Sequence, residues 1–131
     1  MLTLEDARRV VAAAEQKAND IGRPMDIAVV DVGGNLKTHI RMDGAFIGSI
    51  AISIDKAYTA VAFEAQTKDL VSETQPNQSL FGLHTTNDCR IVIFPGGIPL
   101  VRDGQIMGAI GVSTGTVEQD QAVAEAGAAA F

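Results

Sequence analysis

Apolar residues recur at three- and four-residue spacing through Leu4, Ala7, Val11, Ala14, Ala18 and Ile21, one stripe that predicts an amphipathic helix. Thr3 is its candidate cap, Glu5 and Asp6 suit the positive end of the helix dipole, and Gly22 and Pro24 end it. A β-branched run, Met25 to Asp31, predicts a buried strand. Asp31-Val32-Gly33-Gly34-Asn35 then supplies the positive-φ positions of a hairpin turn, Gly33 among them. In the following strand Leu36, Thr38 and Ile40 face one way, while Lys37, His39 and Arg41 face the other. Asp43-Gly44 closes it.

A long helix is expected from Ala45 to about Thr67, with Ile50, Ile54, Ala57, Val61 and Ala65 on its apolar face. Val71 to Asn87 is polar and turn-rich, the longest irregular segment, and such segments commonly carry function. Three strands follow: Arg90 to Phe94, Ile98 to Arg102 after the turn Pro95-Gly96-Gly97, and Gln105 to Ser113 after the hairpin signal Asp103-Gly104. Thr116-Val117-Glu118-Gln119 reads as a capping box opening a last helix to Ala130. Hairpin links and segregated helices make this an α+β chain with an antiparallel sheet. Glycines within Gln105–Ser113 let helices sit down on the sheet or let a ligand approach; packing is the preferred reading.

With 131 residues the chain suits one domain, residues 1–131. Ten Lys+Arg against sixteen Asp+Glu give a net charge of −6, which disfavours nucleic acid and anionic membranes. No apolar run approaches the ~20 residues of a membrane helix. The acidic N-terminus lacks a basic-then-apolar signal pattern, so a cytoplasmic location is expected. Cys89, the only cysteine, has no disulfide partner and is expected as a buried, inert thiol. Small apolar residues around much of the C-terminal helix point to a homo-oligomer, a dimer or larger.

Gly111-Val112-Ser113-Thr114-Gly115 matches the nucleophile-elbow pattern, but both histidines precede the serine and the host fold of that motif is larger. A capped strand-to-helix turn is the preferred reading, with the N–H groups of Thr114 to Val117 as an anion site in reserve. Arg41 and Asp43 end one strand, where they either pair or grip a ligand carboxylate. Lys56 has apolar neighbours, which suits a partly buried ammonium with an acid partner. His39 reads as a surface histidine. His84, followed by Thr85, Thr86 and Asn87 in the irregular loop, is the better candidate for a metal or haem-iron ligand or for acid–base work.

Several stretches together resemble the haem-binding GlcG/HbpS family, the haem-degrading family that includes the C-terminal domain of PduO-type proteins. They are Ile27-Ala28-Val29-Val30-Asp31-Val32-Gly33-Gly34-Asn35-Leu36, Arg41-Met42-Asp43-Gly44-Ala45 and Lys56-Ala57-Tyr58-Thr59-Ala60. In the second half they are Pro95-Gly96-Gly97-Ile98-Pro99-Leu100, Gly104 through Ser113, and Glu118-Gln119-Asp120. The resemblance implies a profilin-like α/β sandwich, a five-stranded antiparallel sheet flanked by helices, in an oligomer. Members often have Ser-Gly-Gly or Ser-Gly where this chain has Ser113-Thr114-Gly115.

Two functions from different classes are expected. In the first, the chain binds haem or another small anionic ligand. His84 would be the axial ligand, Arg41 and Lys56 would pair with propionates, and Thr85, Asn87, Gly96 and Gly97 would line the site. In the second, it is a small catabolic enzyme (a hydrolase, dehalogenase-like enzyme or isomerase) acting on a compact unsaturated acid from aromatic or glycolate/diol metabolism. Arg41 and Lys56 then anchor the anion while His84 or Asp43 handles a proton. A scaffold acting through its oligomer surface is a third option.

Overall fold

The computed structural model describes residues Met1–Phe131. Helix α1 (Leu4–Asp20) opens on a capping box: the Asp6 N–H donates to the Thr3 hydroxyl and the Thr3 N–H to the Asp6 carboxylate, both at 3.0 Å. Asp6 also takes bonds from Arg9 at 2.8 Å and Arg102 at 3.1 Å, so one carboxylate ties the first helix turn to a strand. The helix ends at Gly22, whose φ of +70° suits glycine; the Arg23 N–H bonds back to the Ala18 carbonyl.

Strands β1 (Asp26–Asp31), β2 (Leu36–Arg41), β3 (Gly97–Arg102) and β4 (Gln105–Ser113) form one antiparallel sheet in the order β2-β1-β4-β3. The sheet has four strands, not five. Residues 90–94 run beside α2 (Gly48–Ala62) instead, where the Thr59 hydroxyl accepts the Val92 N–H at 3.0 Å. Pro99 is tolerated because β3 is an edge strand.

Side-chain alternation splits the sheet into unlike faces. Ile27, Val29, Ile98, Leu100, Ile110 and Val112 pack under α1 and α3 (Val117–Ala129) in a core cluster of 15 residues. On the other face Val30 and Ala109 meet Ala57 and Ala60 of α2, a cluster of only 4. The thinness has a cause. A Cβ on Gly111 would collide with the Ser53 carbonyl, so α2 lies directly on the β4 backbone.

This turns α2 away from the expected face, of which only Ala57 is buried. Ser49, Ser53, Lys56, Ala57, Thr59 and Ala60 are buried, whereas Ile50, Ile54 and Val61 are only half-buried. The helix is also shorter than Ala45 to Thr67, because Glu64 turns at φ +52° and the chain re-enters a short 3-10 turn at Thr67–Leu70. In the first hairpin Gly34, at φ +78°, takes the left-handed position and Gly33 does not. The small residues of α3 have partners within the chain: a Cβ on Gly127 would stand 2.5 Å from Ile110 Cδ1 and 3.2 Å from the Ala14 Cβ.

Gly104 lies at φ +75° with nothing within 4 Å of an added Cβ. Gly104→Ala should therefore cost about 1–2 kcal/mol through the backbone alone. Gly111→Ala should cost more, because α2 must lift off β4; urea denaturation of both variants checks the order. The Thr3 N–H, then Arg9 and Arg102, hold the Asp6 carboxyl far below the usual carboxylate range. With the folded value below the unfolded one, its contribution is complete above about pH 4 and fades as pH falls through the acid range. Asp6→Asn should lower stability at neutral pH and flatten the acid limb of a stability–pH curve.

Candidate functional site

Lys56 is completely buried. Its Nζ donates to the Val112 carbonyl at 2.8 Å and to Asp120 Oδ2 at 2.9 Å, with the Phe94 ring centre 5.1 Å away. The other oxygen of Asp120 accepts the Gly115 N–H at 2.9 Å. Burial pushes the ammonium below its usual range and the Asp120 carboxyl above its own; their mutual attraction opposes both shifts. Gly96 and Gly97 wall this pair in. A Cβ on Gly96 would lie 2.8 Å from Nζ, and one on Gly97 would lie 2.6 Å from Thr67 Cγ2. Their N–H groups go to Gln121 at 3.2 Å and Thr67 at 2.9 Å, so neither is free for a ligand. Lys56, Gly96 and Gly97 do come together, as an internal ion pair and its housing.

Arg41 and Asp43 come together elsewhere. They line an open cleft of about 560 Å³ between the end of α1 and the end of β2, with Glu15, Asn19, Arg23 and Met42. No ion pair joins them: Arg41 is exposed and donates to the Ala45 carbonyl at 3.3 Å. None of Lys56, His84, Thr85 or Asn87 lines this cleft.

His84 and Thr85 sit on a short 3-10 turn, Leu83–Thr85, and Asn87 on the next, Asn87–Cys89. His84 is exposed and meets the exposed Phe81 edge-on, ring centres 6.2 Å apart. The Thr85 hydroxyl donates to the Gly82 carbonyl at 2.7 Å, and the Asn87 amide donates to the Tyr58 hydroxyl at 3.4 Å. Arg90 stacks on Tyr58 at 3.8 Å and pairs with Asp55 at 2.9 Å, pinning the loop to α2. Asn87, Asp88 and Cys89 are consecutively left-handed, at φ 52°, 56° and 60°. Cys89 is exposed rather than buried, carried outward by that turn.

Ser113 is no elbow nucleophile: it is buried, and its hydroxyl donates to Ser49 Oγ at 3.0 Å. The sequence reading overlooked Asp26. This acid is fully buried in β1; its Oδ2 accepts the Thr114 hydroxyl at 2.7 Å, and its Oδ1 lies 3.7 Å from His39 Nε2. His39 is thus packed beside an acid and only 15% of its side chain is exposed. The available signal was a carboxylate opening a strand that is apolar from Ile27 to Val30.

Removing one partner of a buried ion pair strands the other charge. Asp120→Ala should therefore destabilise by about 3–5 kcal/mol. The double change Lys56→Met with Asp120→Leu should lose far less. Urea melts of the two variants decide it; equal losses would place the cost in packing rather than charge.

Residues 2–129 match the family described as "Haem degrading protein HbpS-like". A Citrobacter freundii relative, an uncharacterized 15.0 kDa protein in the dhaT-dhaS intergenic region, is 48% identical over 124 residues, covering 95% of this chain and 87% of its own. The crystal structure of Klebsiella pneumoniae ORFY superposes with a TM-score of 0.97 at 46% identity, over 98% of this chain and 89% of that one. The PduOC:heme complex superposes with a TM-score of 0.95 at 35% identity, over 99% and 94%. With the match running almost from end to end, the chain belongs to the HbpS-like family.

Proposed function

We propose that this protein binds haem, or a small anionic ligand in its place, with His84 as the axial ligand. The carrying observation is the likeness to the PduOC:heme complex along 99% of the chain. The loop supports the reading chemically. His84 is exposed and set against an aromatic edge, with Leu80 and Phe81 exposed beside it, so an apolar macrocycle has a surface to cover. Of the two cations expected for propionates, Arg41 is exposed, whereas Lys56 is already spent on Asp120. Aromatic residues are only 5% of the chain, so a second copy supplies the far wall of the site in a homo-oligomer.

Haem titration should give a Soret band. His84→Ala should move that band and weaken binding at least tenfold, about 1.4 kcal/mol, while His39→Ala leaves it in place. An unmoved band in His84→Ala removes His84 as the ligand. Light scattering should return at least twice the 13.7 kDa chain mass; a monomer at micromolar concentration removes the shared site.

A further inference from the structure

Two buried polar atoms face each other on the α2 side of the sheet without hydrogen-bond partners: Asp26 Oδ1 and His39 Nε2, 3.7 Å apart. Leaving both unpaired is costly, and such groups cluster where chemistry is done. The second nitrogen of His39 is neither bonded nor buried, so Nδ1 reaches solvent at the open flank of β2. Asp26 is oriented from behind by the Thr114 hydroxyl. Thr114 itself stands at φ +113°, a strained conformation for a β-branched residue, held by that bond and by Arg23, whose Nη2 donates to the Thr114 carbonyl at 2.7 Å. Arg41 projects from the same face of β2, two residues from His39, roughly 6–7 Å along the strand. It sits opposite Asp26 in the ladder, as His39 sits opposite Ala28. Its guanidinium spends one donor on Ala45, and the rest of the fork is free.

We propose that Asp26 and His39 form a proton-transfer dyad that acts on a small enolisable carboxylate held by Arg41. Burial favours the neutral imidazole, and Asp26 beside Nε2 holds its one proton on that nitrogen, which leaves the Nδ1 lone pair pointing outward as the base. A C–H beside the substrate's carbonyl breaks; its proton forms the N–H bond at Nδ1, and its electron pair becomes the carbon–carbon double bond of an enolate. The carbonyl π electrons move onto oxygen. The imidazolium closes on Asp26 Oδ1, and Arg41 holds the carboxylate throughout. Return of the proton to another atom of the enolate completes an isomerisation with no oxidant, reductant or co-reactant. The dyad uses neither His84 nor Lys56; Arg41 is the one residue it shares with the cations expected for propionates.

The test uses haem-free full-length protein and 2-oxobutyrate in D₂O, with proton NMR following loss of the C3 protons. Wash-in of deuterium should run at least tenfold above buffer. His39→Gln should reduce it at least tenfold, and Arg41→Ala should raise the half-saturating concentration several-fold with a smaller effect on the limiting rate. Exchange at the buffer rate in the parent, or an undiminished rate in His39→Gln, overturns the dyad. ¹⁵N NMR of the histidine rings supplies a readout independent of turnover: Nε2 protonated and Nδ1 bare supports it. The opposite tautomer means that Asp26 carries the proton and donates it to His39, which leaves no outward base and overturns the proposal even where His39→Gln fails to fold.

Discussion

The Lys56–Asp120 pair is the constraint that the second half of the fold answers to. One ammonium, wholly withdrawn from water, binds α2 to the β4 backbone through the Val112 carbonyl and to α3 through Asp120. Such a charge is tolerable only when every donor finds an acceptor and nothing loosens the wall around it. The glycines at 96 and 97, the N–H of Gly115 and the ring of Phe94 are all placed by that requirement. The pair contributes more to holding three elements in one arrangement than to net stability, since its desolvation offsets much of its attraction.

What the sequence made legible was what short-range chemistry determines. Thr3 and Thr116 cap their helices because each is followed, three residues on, by a side chain able to return the bond. Asp103-Gly104 turns a hairpin because both residues accept positive φ. What was hidden depends on the other side of a contact. The inward face of α2 is polar and small because the β4 backbone approaches it, and no periodicity within 48–62 records that. An apolar run at 90–94 resembles a strand, yet it joins no ladder and its Val92 N–H goes to the Thr59 hydroxyl of α2.

The candidate site was less legible for the same reason. Period-two reading placed His39 beside Lys37 and Arg41 on a polar face, which was correct for the strand. What the strand alone does not show is the buried Asp26 beside it, held by Thr114, whose hydroxyl also accepts the Phe46 N–H. Lys56 was recognisable as a lysine needing an acid, but Asp120 lies 64 residues away and is chosen by the packing of α3. Arg41 and Asp43 do share a cleft; the His84 loop belongs to another surface, pinned by Arg90 and Tyr58.

The outer rim of β3 bears on how copies of this chain can meet. Pro99 has no N–H to offer there, and the Gly97 N–H is already taken by Thr67. An incoming strand would find two successive donor positions closed, so the sheet cannot be propagated from molecule to molecule along that rim by an unbroken ladder. Strand-to-strand growth at this edge is thereby interrupted by one imino acid and one threonine hydroxyl, which leaves β2 as the other edge of the sheet.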